Sequence, residues 1–264
     1  MRVSLGRGVT TAVGVAGLLF LLAPMAVMAI ASLDPGRFFQ FPPKEISLHW
    51  YRVLLEDSTW LAAIGFSLKV AGLTTLFATL IGTIAGIAIA RVASGPRKLL
   101  YLACAIPLAV PPITLAIALY GIFLRLHLIG ETSSFVFANT VLTAPLVALL
   151  VAAAALGIDP RLEFASLSCG ASLWRTLVRI TGPLVAPTAL AAGALAFLLT
   201  LDEVVISSFL VGPGTTPVAV KLFGEVREGT SVLTSAVATL LILTSMVVLG
   251  TLLIGRTVLS SLRR

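Results

Sequence analysis

Two adjacent carboxylates, Asp202 and Glu203, stand between the apolar stretches 184–201 and 204–211. An acid at membrane depth is costly unless it faces water or a partner, so such positions are functional candidates. Neighbouring side chains on a helix diverge by about 100°, so only one of the pair faces a given path. Counted from Pro187, Asp202 lies about 22 Å along a helix. Two readings are open. One carboxylate lines a route for a cation or pairs with a gate, or the helix ends near an interface and both acids are hydrated.

The other reactive residues carry less. Ser172 follows Gly170-Ala171 in a small-residue turn, but a serine nucleophile needs a histidine within hydrogen-bond reach. The two histidines, His49 and His127, fall across the bilayer from Ser172 in the topology below. Cys104 and Cys169 lie on different elements without metal spacing, and neither HExxH nor a His/Cys/Asp cluster occurs. GxxxxGK[ST] is absent, so the chain does not bind ATP through a P-loop of its own. The expectation is a chain without catalytic residues, metal or cofactor, and not an enzyme.

A polar, basic stretch from Asp159 to Pro183 separates two apolar segments. Asp159 suits an N-cap and Pro160 a first helical position. Gly170 suits the left-handed residue that ends a helix, Ser172 a second cap, and Gly182-Pro183 a stop. The stretch predicts a helical hairpin at 159–183, a docking surface for something soluble.

The elements that position these residues are membrane spans. Of 264 residues 58% are hydrophobic and 11% charged, with mean hydropathy +1.09. Runs of about 20 apolar residues mark spanning helices. The expected fold is an all-α integral membrane protein, a single domain over 1–264, with six transmembrane helices near 9–32, 61–90, 99–124, 135–156, 184–208 and 231–255. The segment from Val9 to Ala31 exceeds a signal-peptide core and lacks a cleavage site, so it reads as a retained first span. With both termini cytoplasmic, eleven Lys and Arg and two acids lie inside, against seven and nine outside. The positive-inside rule selects that orientation and puts the hairpin in the cytoplasm. The net charge of +7 is thus a topology signal, and nucleic acid is not an expected partner.

Pro107, Pro111 and Pro112 predict a broken or kinked third span, and broken spans recur in transporters. Gly82 with Gly86, and Ala189 with Gly193, are small-xxx-small pairs that permit close helix approach. In the first outer segment, Ser47 is expected to cap a helix over 48–56 carrying Trp50 and Tyr51, suited to the membrane interface. Lys69 is placed to snorkel to headgroups. Arg125, His127 and Glu131 read as a solvated loop, and Gly212, Pro213, Gly214 and Pro217 as a turn.

Residues 163–183 resemble the cytoplasmic "EAA" loop of permease subunits of binding-protein-dependent ABC importers. Registered on Gly170, the positions Ala165, Gly170, Ile180 and Pro183 match that pattern. Phe164 takes the acidic position, Ser166 the second alanine and Gly182 the leucine, while Glu163 stands one residue early. The resemblance extends to Phe41-Pro42-Pro43, Ser47 to Tyr51, the proline-rich third span, Leu201 to Val205 and Phe209 to Gly214. Over nearly the whole chain it is similar to the second permease subunit of spermidine/putrescine-type importers.

The resemblance implies a type I importer (MetI-like) architecture in the bacterial inner membrane. It implies half of a translocation pathway, with polyamine as substrate. The implied partners are a second permease subunit in a heterodimer, a dimeric cytoplasmic ATPase holding ATP and Mg, and an external substrate-binding protein. It assigns ATPase coupling to Glu163, Phe164, Ala165, Ser166, Ser168, Gly170, Ala171, Ser172 and Trp174, with shape and the Gly170 turn favoured over Glu163. Asp202 or Glu203 is then expected to attract a polycation. The alternatives are an importer permease for another small solute and a self-contained transporter or channel. The missing internal repeat argues against the last.

Overall fold

A computed structural model describes residues 2–36, 40–229 and 232–261, with side chains described from residue 10 to residue 251 outside those gaps. Arg37, Arg263 and Arg264 of the charge count lie outside the described residues, as do the side chains of Arg2, Arg7 and Arg256.

The described residues form helices joined by turns: α1 (Arg2–Ala31), α2 (His49–Glu56), α3 (Ser58–Arg91), α4 (Ser94–Ala109), α5 (Pro112–Arg125), α6 (Thr132–Leu156), α7 (Pro160–Ser168) and α8 (Leu173–Thr176). A π turn (Leu177–Thr181), α9 (Gly182–Leu201), α10 (Val205–Leu210), α11 (Val218–Glu228) and α12 (Val232–Ser261) follow. Five segments are long and apolar enough to cross a membrane: Thr10–Ala31, Ser58–Arg91, Thr132–Leu156, Leu173–Leu201 and Val232–Thr251. The pair α4 and α5 makes a sixth when taken as one span, bent by 91°. Its break has a chemical cause. Pro111 and Pro112 supply no N–H, so the ladder that ends at Val110 cannot continue into α5.

Two expectations at the fifth span need correction. Gly182-Pro183 does not stop the hairpin's second helix, because α8, the π turn and α9 run on as one span. The Gly182 N–H bonds five residues back to the Leu177 carbonyl. That wider turn changes the register just before Pro183, so the missing donor does not end the helix. The span also ends earlier than position 208. The α9 helix stops at Leu201, and α10 is a separate short helix.

The chain groups into two units. In the first, residues 1–61 with 221–247, α1 presents Val13, Leu18, Phe20 and Leu21 as exposed apolar side chains. These suit a lipid-facing surface. The turn after α1 is tied to α2: Tyr51 Oη and Ser32 Oγ lie 2.7 Å apart, and Trp50 Nε1 donates to the Gly36 carbonyl at 3.0 Å. Ser47 Oγ accepts from the His49 N–H at 3.1 Å, but Ser47 is not the cap: α2 starts at His49, one residue later than expected, with Leu48 as its N-cap. Asp57 opens α3 by accepting from the N–H groups of Thr59 (2.8 Å) and Trp60 (3.3 Å). The Thr59 hydroxyl does most to hold the Asp57 carboxyl below its ordinary value, against burial, with those N–H groups and the Lys221 charge adding to it.

In the second unit, residues 62–220 with 248–264, two apolar clusters form. One joins Ala78 and Ala90 of α3, Val147, Val151 and Ala155 of α6, and Val185, Ala189 and Ala192 of α9. The other joins Val70, Leu119 and Phe123, Phe135, and Ile206 and Leu210, from α3, α5, α6 and α10. Both expected small-residue pairs mark close helix approach. A Cβ at Gly82 would stand 2.6 Å from Val147 Cβ, and one at Gly86 2.6 Å from the Ala148 carbonyl oxygen. Gly193 packs on Thr79. Gly86→Val is therefore expected to force α3 off α6 and cost about 1–3 kcal/mol. A thermal melt of the purified chain reads this, and an unchanged midpoint would contradict the packing.

Candidate functional site

The hairpin forms as its caps dictate. The Asp159 carboxylate accepts from the Arg161 N–H at 2.9 Å and starts α7 at Pro160. At the other end, the Ala171 N–H bonds the Ser166 carbonyl (3.2 Å) and the Gly170 N–H bonds that of Leu167 (3.0 Å). This is a Schellman ending with Gly170 in the left-handed region, φ +82. Ser172 Oγ then accepts from the Arg175 N–H at 3.3 Å and starts α8. Across the hairpin, Ser166 Oγ and Thr176 Oγ1 are 2.9 Å apart.

The hairpin has a fastened face and a bare one. On the fastened face, Glu163 Oε1 accepts from Arg91 Nε at 3.0 Å, from Arg91 Nη2 and from Thr181 Oγ1. Arg91 Nη1 donates to the Ala155 carbonyl at 3.3 Å. One guanidinium thus joins the end of α3, the end of α6 and the first hairpin helix. Burial opposes ionisation of Glu163, but the bonds from Arg91 and Thr181 and the Arg91 charge outweigh it. Its carboxyl therefore lies below the ordinary value. On the bare face, Phe164 is 66% exposed, Leu173 64% and Trp174 75%. Large apolar side chains left exposed on a polar hairpin mark an interaction surface. Ala165, Ser168, Gly170 and Ser172 are also exposed, whereas Glu163, Ser166 and Ala171 are half-buried. Arg91 and Thr181 escaped the sequence reading. Arg91 is 72 residues from Glu163, and nothing in either local pattern pairs them.

The acidic pair divides as its spacing implies, with a different outcome for each member. The Glu203 side chain is buried, and its two oxygens accept from the N–H groups of Ile206 (2.7 Å) and Ser207 (2.8 Å). It stands one residue before Val204, the N-cap of α10, and takes up two of the N–H groups that the first turn of α10 leaves free. Asp202 is exposed at the end of α9, with no hydrogen bond to its carboxylate among the described residues. Lys69 reaches Thr132 Oγ1 at 3.4 Å and lines an open, mainly apolar cavity of about 1000 Å³ between α3, α4 and α6. Arg125, His127 and Glu131 are exposed, as expected of a solvated loop. Gly130 and Gly212 approach so closely that a Cβ on Gly212 would lie 2.6 Å from the Gly130 Cα. No group of three potential metal ligands occurs among the described residues.

This architecture has known relatives. The putrescine transport system permease protein PotI of Escherichia coli (strain K12) is 30% identical over 234 residues, 86% of this chain and 83% of PotI. The spermidine/putrescine transport system permease protein PotC of the same strain is 30% identical over 238 residues, 90% of each chain. Among solved structures, a bacterial ABC transporter involved in the import of the acidic polysaccharide alginate superposes with a TM-score of 0.70 at 19% identity. It covers 97% of this chain and 95% of the other. The inward-facing MetNI methionine ABC transporter gives 0.63 at 17% identity, over 76% and 94%. The family described as binding-protein-dependent transport system inner membrane component matches residues 78–258. With two thirds of the chain inside that match and 30% identity to full-length permeases, the protein belongs to this family of multi-pass inner membrane transport permeases.

Proposed function

We propose that this chain is one half of the translocation pathway of an ATP-driven polyamine importer. In this reading, the 159–183 hairpin docks on a cytoplasmic ATPase dimer that holds ATP and Mg. Both termini are cytoplasmic, as the Lys and Arg distribution favours. A second, different permease chain completes the pathway, and an external binding protein delivers the substrate.

The observation that carries the coupling role is the two-faced hairpin. Phe164, Leu173 and Trp174 are bare on one face, and Glu163 is bound to Arg91 and Thr181 on the other. A partner seated on the bare face moves a lever already joined to α3 and α6. Packed interfaces switch between discrete arrangements, so the displacement changes which side of the pathway is open. The polyamine assignment draws on the names of the relatives and on Asp202, whose carboxylate is free to meet a polycation.

Asp202→Asn is expected to raise the KM for spermidine about fivefold, the equivalent of about 1 kcal/mol for an exposed charge contact, with little change in the melting point. Glu203→Ala, by contrast, leaves the buried N–H groups of Ile206 and Ser207 without their acceptor and is expected to cost about 1–3 kcal/mol of stability. Uptake kinetics and thermal melts of both variants check the division of labour. Unaltered spermidine kinetics in Asp202→Asn would remove that residue from the substrate route.

A further inference from the structure

We infer that a pocket at the start of α4 binds the phosphate head and upper acyl chain of an anionic phospholipid. The pocket, about 440 Å³, lies between α4 and the end of α6. It rests on α4 being embedded in the bilayer and not on the transport reading.

Its mouth is cationic. Arg97 and Lys98 both line it. Arg97 donates from Nε (3.1 Å) and Nη2 (2.7 Å) to the Val92 carbonyl, which fixes the guanidinium and leaves further N–H groups for a second acceptor. Lys98 is exposed and has no hydrogen bond or ion pair among the described residues. Neither cation has a carboxylate within salt-bridge reach there, because the one ion pair of the described residues is Arg91 with Glu163.

Its depth is apolar. Tyr101 closes the side wall by donating to the Leu149 carbonyl at 3.1 Å, so its hydroxyl is committed to α6. Leu102, Ala105 and Leu156 add apolar lining, and Ser94 lines the pocket one turn before Arg97 and Lys98. From Lys98 to Ala105 the helix rises about 10 Å. A charged mouth over an apolar wall of that length fits a headgroup followed by a chain. Free phosphate would leave the wall unused. Basic pockets between transmembrane helices near the membrane surface are a physical match for anionic headgroups.

The test uses the full-length chain, purified with its partner subunits. Melting point and lipid adducts in native mass spectrometry are followed on adding phosphatidylglycerol, phosphatidylcholine or inorganic phosphate. Phosphatidylglycerol is expected to raise the midpoint and remain bound, and the other two are not. R97Q/K98Q is expected to weaken phosphatidylglycerol binding about thirtyfold. A105F blocks the chain slot without touching a charge and is expected to weaken it as well. Equal protection by phosphatidylcholine, a full effect of phosphate alone, or wild-type phosphatidylglycerol affinity in the variants would overturn the site.

Discussion

Gly170→Pro is expected to abolish ATP-driven uptake while leaving the chain in the membrane. The native φ of +82 is closed to proline, whose ring holds φ near about −65°. Proline also deletes the N–H that bonds the Leu167 carbonyl. The Schellman ending of α7 is then lost, and α8 leaves at a different angle. No atom outside the chain neighbours stands within 4 Å of a Cβ built at Gly170. Gly170→Ala therefore bears only the left-handed backbone cost, about 1 kcal/mol. Proline should thus uncouple ATP hydrolysis from transport, and alanine should retain most of both. Uptake and stimulated ATPase activity in the reconstituted complex separate the two variants. Full coupling in Gly170→Pro would sever the hairpin from the ATPase.

Arg91→Ala is expected to have the second largest effect. It leaves a Glu163 side chain that is only 14% exposed with the Thr181 hydroxyl and no cation. Losing one partner of a fully buried pair costs about 3–5 kcal/mol. Arg91 itself is 27% exposed, so solvent screening lowers the expected cost to about 1–3 kcal/mol. Transport should fall further than stability, because the same guanidinium joins α3 and α6 to the hairpin. Glu163→Gln keeps an oxygen for Thr181 and Arg91 and should be milder. Combining Arg91→Ala with Glu163→Ala should recover part of the loss, since no unpaired charge remains. Additive effects in this cycle would contradict a direct pair.

The pH dependence of that pair has a definite sign. The folded value of Glu163 is depressed below that of a free glutamate, because Arg91 and Thr181 donate to its carboxylate. Its stabilisation is fully present above that unfolded value and lost as pH falls through the folded one. Melting of the wild-type chain should therefore gain no slope from this group at neutral pH. A slope should appear in acid, as pH falls from the free-glutamate value through the lower folded one, and be reduced in Arg91→Ala.

Much of this was legible because local chemistry decided it. Asp159, Pro160, Gly170 and Ser172 place their caps and turns through their own backbone preferences, and the structure follows them closely. The break at Pro111-Pro112 is equally local. The Gly182-Pro183 stop failed because a π turn shifts the hydrogen-bond register just before the proline, and the sequence carries no period for such a turn. Glu163 stands one residue early against its loop pattern, and its role stayed hidden because its partners, Arg91 and Thr181, come together only in three dimensions. The acidic pair needed coordinates as well. Adjacent in sequence, Glu203 turns inward to open α10 and Asp202 faces outward, and no propensity distinguishes them.

The most direct measurement is uptake of labelled putrescine and spermidine into proteoliposomes. The chain is reconstituted either alone or with the second permease, the ATPase and the binding protein. The account predicts accumulation only in the complete assembly and only with ATP. Concentrative uptake by the isolated chain, or uptake by the full assembly that ignores ATP, would contradict it.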